Sequence, residues 1–194
     1  MKYMLIFLSI VLFSFASDNT VDRLGIRGPL KFDKIKFELA WTDKPNDHYY
    51  IQEYLPKGEK AEDFTQMLTI HLFDLEITAQ DAVAQKVKEL NERKKTDEVC
   101  NYVVTESPDG KEFMVDFILG ESKGDKMTIV EFNVYRYKQI DIGNNKKAML
   151  VYAYTKRSYG NHITVFLKKL GDDRIEYLNN MISADMPSVT LAVK

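Results

Sequence analysis

Cysteine is nearly absent from this chain, with Cys100 the single one among 194 residues. One thiol forms no disulfide within the chain and cannot furnish a multi-cysteine zinc site, so packing rather than cross-linking must hold the fold. An excess of one charge is missing too, since 27 Lys and Arg stand against 29 Asp and Glu, with both signs scattered. Nucleic-acid binders carry a basic patch or a basic domain, and none appears here. The nine glycines are spread among turns and build no phosphate cradle. No Asp-x-Asp-x-Asp-Gly calcium loop and no Gly-x-Ser-x-Gly nucleophile elbow occurs. The three histidines His48, His71 and His162 are isolated from one another, without the short spacing that puts two ligands on one metal. These absences lead us to expect no cofactor, no metal and no catalysis.

The one long apolar run is at the start. "MKYMLIFLSIVLFSFA" has a single cation, Lys2, then apolar residues from Tyr3 to Phe15, with the small residues Ser14 and Ala16 before the polar "SDNT". That is the plan of a secretory signal peptide. A membrane anchor is the competing reading, but a spanning helix needs about 20 apolar residues. We therefore expect residues 1–16 to be a cleaved signal, residues 17–194 to be one domain, and the product to be extracytoplasmic, periplasmic or secreted, without a stable membrane anchor.

Alternation marks the strands. "KIKFELAWT" sets Ile35, Phe37, Leu39 and Trp41 against Lys36, Glu38 and Ala40, "HYYIQEYL" follows the turn "KPND", and "FTQMLTIHLF" sets Leu68, Ile70 and Leu72 against Thr69 and His71. Pro56 and Gly58 break the second of these strands, and "EKAED" reads as a short solvated link to the third. Thr78 opens a helix as N-cap, with Asp81 three residues on and Ala79, Val83, Val87 and Leu90 at helical spacing. "NYVVTE-SPDG-KEFMVDFIL" is a hairpin with a type I turn. "KMTIVEFNVYRYK" and "KKAMLVYAYTKR" are two further strands, and residues 162–184 suit an amphipathic helix that Gly171 breaks or kinks.

The order is three strands, a helix, four strands and a helix. It predicts an α+β fold, an antiparallel sheet of about six to seven strands with both helices packed on one face. The element order, with strands over 34–73, a helix over 78–95, a meander over 101–157 and a helix over 162–184, resembles the α/β sandwiches of the Mog1/PsbP-like class. That resemblance implies a non-catalytic accessory or binding role and carries over no functional residue.

Two candidate chemistries remain. Asp116 and Glu131 both fall in strands, where a pair of carboxylates could do acid/base work or simply line a solvated face. The tyrosines are the stronger feature. If the "QIDIGNN" connection closes with an even number of residues, Asn133, Tyr135 and Tyr137 share a face with Leu150, Tyr152 and Tyr154, while Val130, Phe132 and Val134 join Met149, Val151 and Ala153 in the core. Arg136, Lys138, Lys156 and Arg157 then rim a tyrosine-rich surface suited to a protein partner. Tyrosine is also a good strand residue, and cross-strand pairs of it stabilise sheets. A small apolar ligand carried between sheet and helices is the alternative function, and a hydrolase with an unrecognised site a third.

Overall fold

The computed structural model describes residues 20–26 and 28–191. The expected signal peptide lies outside them. Eight strands form one curled antiparallel sheet: β1 (Leu30–Phe32), β2 (Ile35–Asn46), β3 (Tyr49–Pro56), β4 (Gln66–Phe73), β5 (Asn101–Glu106), β6 (Glu112–Lys123), β7 (Lys126–Asp141) and β8 (Lys147–Tyr159). Their order across the sheet is β1-β2-β3-β4-β8-β7-β6-β5. Helix α1 (Ala79–Arg93) joins β4 to β5, and α2 (Ile163–Ser183) follows β8 through a 3-10 turn.

The expectation of six to seven strands with both helices on one face is corrected on both counts. β1 is an extra edge strand of only three residues, too short for alternation to reveal. The helices lie on opposite faces. α1 buries Ala79, Val83 and Leu90 against Val115, Phe117, Tyr137, Met149 and Val151. α2 buries Tyr177 and Met181 against Phe132, Val134, Tyr152 and Tyr154 on the other face, where Leu24 and Ile26 of the N-terminal segment join them. Strands covered on both faces need apolar residues at successive positions rather than at alternate ones, and the run Ala148 to Tyr154 is buried throughout.

Local chemistry fixes the ends of these elements. The Thr78 hydroxyl accepts from the Asp81 N–H at 3.0 Å and donates to the Asp81 carboxylate at 2.7 Å, closing the first turn of α1. In the turn after β5, Gly110 takes φ +69° and its N–H donates to the Ser107 carbonyl at 2.9 Å. Gly171 does not interrupt α2, which runs unbroken from Ile163 to Ser183. β2 carries two bulges. The first, at Ala40, moves Trp41 to the face opposite Phe37 and Leu39, against the simple alternation expected there.

Arginines tie α2 to the sheet. Arg174 makes a bidentate pair with the buried Asp116 at 2.7 and 2.9 Å. Arg136 gives Nε to Glu112 at 2.6 Å and Nη1 to the carbonyls of Met181, Ile182 and Ala184, the oxygens a helix C-terminus leaves without partners. Replacing Arg136 with Met should therefore cost about 2–4 kcal/mol in urea unfolding, whereas Lys138→Met, which removes the outer partner of the same Glu112, should cost about 0–1 kcal/mol. Equal effects would mean that Arg136 does not anchor the helix.

Candidate functional site

The tyrosines do not share a face. β7 pairs with β8 as Tyr135↔Ala153 and Tyr137↔Val151, odd with odd, because five residues rather than an even number separate Asp141 from its partner Lys147. Tyr135 and Tyr137 therefore look toward α1, and Tyr152 and Tyr154 toward α2. Tyr137, Tyr152 and Tyr154 are at most 2% exposed. The expected rim is also occupied internally: Arg136 caps α2, Lys138 pairs with Glu112, Lys156 lies 5.5 Å from the Tyr177 ring, and Arg157 pairs with Glu131. These four tyrosines therefore form no common surface. Asp116 and Glu131 stand on opposite faces, each with its own arginine, and do not converge. Cys100 sits under the end of α1, its thiol donating to the Leu90 carbonyl at 3.5 Å.

A different group of residues comes together on the α1 face. Strand register lines up Trp41, Glu53, Thr69, Ala153 and Tyr135 across five consecutive strands. The neighbouring row holds Asp43, Ile51, His71, Val151 and Tyr137, and the row on the other side holds Met67, Thr155 and Asn133. The covering helix packs against β6 and β7, so this polar patch lies beside it rather than beneath its apolar stripe. From α1, Lys86 reaches over the ring of Tyr135 at 5.3 Å and pairs with Glu89 at 3.1 Å. From the lower edge, Arg157 lies 4.0 Å from the ring of Phe64.

The polar groups in this patch are buried and incompletely satisfied. His71 stands between Tyr49 and Tyr135, with ring centroids at 6.0 and 5.9 Å. Its Nδ1 is 2.8 Å from the Tyr49 hydroxyl, and its Nε2 is buried without a partner. Asn133, 3% exposed, accepts from the Thr155 hydroxyl through Oδ1 at 2.7 Å, and its Nδ2 is buried without a partner. Gln52, on the opposite face, makes the contrast. Its Oε1 accepts from the N–H groups of Arg23 and Leu24, and its Nε2 donates to Tyr54 at 2.6 Å. Buried polar atoms are nearly always paired, so two orphans on one patch call for a partner. Thr42 Oγ1 and Asn180 Nδ2 are orphaned as well but stand elsewhere, beside Gln52 and on α2.

Burial also sets the protonation states. It pushes the Glu53 carboxyl up to about 7, with Arg157 pulling it down by a lesser amount. It lowers His71 to about 3, assisted by the Lys86 charge, so the imidazole is neutral at physiological pH. Burial likewise raises the hydroxyls of Tyr49 and Tyr135, which stay protonated. At neutral pH His71, Tyr49 and Tyr135 are thus uncharged, Glu53 is part protonated, and two ion pairs frame the patch. Trp41 and Glu53 escaped the sequence reading. A bulge hid the face of Trp41, and nothing local in "YIQEYL" tells Glu53 from a solvated strand acid. His71 was placed on the side away from Leu68, Ile70 and Leu72, and it is there, but its surroundings come from β3, β7 and α1.

Opposite pH dependences follow. The raised carboxyl of Glu53 favours the folded state fully below its ordinary value of 4.5, and that contribution is lost as pH rises through about 7. The depressed His71 contributes above its ordinary value of 6.5, and that contribution is lost as pH falls toward about 3. Thermal midpoints measured from pH 3 to 8 should show Glu53→Gln gaining on the parent between pH 4.5 and 7, and His71→Phe gaining on it between pH 6.5 and 3. Parallel curves for parent and variants would contradict these burial effects.

No curated protein and no solved structure matches the chain, so no named relative supplies an activity, and the Mog1/PsbP-like resemblance rests on element order alone. A protein-family model matches residues 24–186, which contain every strand, both helices and the whole patch, and the chain belongs to that family.

Proposed function

We propose that the protein is an extracytoplasmic, non-catalytic binding protein that holds a small uncharged molecule against the α1 face of its sheet. The observation that carries this reading is the pair of buried, unpartnered polar atoms, His71 Nε2 and Asn133 Nδ2, on one patch. Leaving such groups unpaired costs about 1–3 kcal/mol each, a cost that a ligand supplying the missing partners would offset. The amide Nδ2 of Asn133 donates only, so the ligand must present an acceptor such as a carbonyl or amide oxygen. Both cations at the margin are already paired, Lys86 with Glu89 and Arg157 with Glu131, so an anionic ligand would find no free counter-charge. Trp41, Tyr49 and Tyr135 supply flat aromatic surface for an apolar body. The apolar run at residues 1–16 supports the location, and the binding role agrees with what the Mog1/PsbP-like resemblance implies.

The test is a thermal-shift screen with uncharged aromatic amides and ketones, run on the parent and on the double variant Tyr49→Phe/His71→Phe. A binder present at about a hundredfold over its Kd should raise the parent midpoint by roughly 5–10 °C. The double variant, which removes both members of a buried polar pair, should be at least as stable when free and should lose the shift. A screen without binders, or a shift that survives in the double variant, would end this reading.

A further inference from the structure

The two edges of the sheet are treated differently. β1 closes one side with three residues, one of them Lys31, the short and charged edge by which proteins discourage further pairing. β5 closes the other side with six residues, "NYVVTE", containing no Lys, Arg or Pro. All but Tyr102 are exposed, Val103 at 47% and Val104 at 40%. Its pairing with β6 fixes which backbone groups are left over. The Ser107 N–H donates to the Glu112 carbonyl, and bonding alternates along an antiparallel pair, so Asn101, Val103 and Thr105 bond inward to β6. The N–H and C=O groups of Tyr102, Val104 and Glu106 point outward, where no strand among the described residues meets them, the Tyr102 N–H being held by the side chain of Asn101 through Oδ1 at 3.0 Å.

From this edge we propose that two copies of the chain pair through β5, antiparallel about a two-fold axis at Val104, continuing the sheet from one copy into the other. The register follows from the outward groups: Val104 faces its own counterpart, and Tyr102 faces Glu106 of the second copy, twice by symmetry. A second copy fits because the side chains are complementary in that register. Tyr102 and Glu106 lie on the α1 face, and Lys94 at the end of α1 reaches over the Tyr102 ring at 4.4 Å. Glu106 of one copy therefore arrives beside Lys94 of the other, an opposite-charge contact made twice. On the α2 face, Val103 of one copy falls opposite Thr105 of the other. Thr105 stands at a cleft of about 350 Å³ lined also by Phe113, Met114 and Ile182, the last 57% exposed. The exposed valines and the apolar cleft are thus covered in one step, and each outward residue exchanges its two backbone bonds, the Tyr102 N–H trading Asn101 Oδ1 for a carbonyl of the second copy.

Sedimentation velocity of the full chain over a wide concentration range tests this. The parent should be dimeric, and Val104→Lys should raise the dimer dissociation constant by about tenfold or more while leaving the circular dichroism unchanged. Lys94→Glu and Glu106→Lys should each weaken the dimer, and the two together should restore it, because the reversed charges meet again across the axis. A parent that stays monomeric up to about 1 mM, a dimer indifferent to Val104→Lys, or a double charge reversal no stronger than either single one would each overturn the proposal. Fragment binding at the α1-face patch is read separately and does not depend on the outcome.

Discussion

The residue-for-residue pairing of β7 with β8 is the constraint on which the rest of the molecule depends. These two long strands sit at the centre of the sheet, and the five-residue connection between Asp141 and Lys147 matches odd residues with odd ones. Every paired side chain of these two strands is thereby committed to one face of the sheet or the other. A connection shorter or longer by one residue would exchange the faces of β8 against β7, placing Tyr152 and Tyr154 under α1 and Val151 and Ala153 under α2. Sixteen residues of β7 also span both layers of packing. Its even positions supply Phe132 and Val134 to the α2 core, and its odd positions supply Tyr135 and Tyr137 to the α1 side.

The two faces carry their polar groups differently. On the α2 face the largest buried polar groups are matched, Gln52 by the N-terminal segment and Tyr54 and Asp116 by Arg174, while the smaller Thr42 Oγ1 and Asn180 Nδ2 on that side stay unpaired. On the α1 face the apolar core lies under α1, but the rows beside it place Glu53, Thr69, His71, Thr155 and Asn133 around Ala153. A sheet can give one face to stability and the other to recognition because its side chains alternate. The α1 face here holds an apolar core and, in adjacent territory, the polar patch for which binding is proposed.

How much of this could be read beforehand depended on whether the signal was local. The Thr78 cap and the Ser107–Gly110 turn were legible, because capping and turn chemistry act within a few residues, and apolar spacing marked the span of α2 but not its continuity through Gly171. The opposed helices were not read, although the successive apolar residues from Ala148 to Tyr154 mark a strand covered on both faces, because the tyrosines among them suit an open face as well as a buried one. Register failed for a related reason: parity across "QIDIGNN" depends on where pairing stops, which side-chain identity does not encode. Trp41 was misassigned by a single bulge at Ala40. The patch itself draws on β2, β3, β4, β7, β8 and α1, and no segment of the chain carries its pattern.

The lone cysteine has a use that follows from its position. Cys100 lies buried at the seam where the last turn of α1 meets the start of β5, its thiol against the Leu90 carbonyl and its pKa raised by burial. A thiol reagent reaches it only when that turn lifts from the sheet. The chain thus contains its own clock for local opening, started by a reagent and read without any introduced label. Because no second thiol contributes a background, the labelling rate of the native protein would give the frequency with which α1 parts from the face it covers.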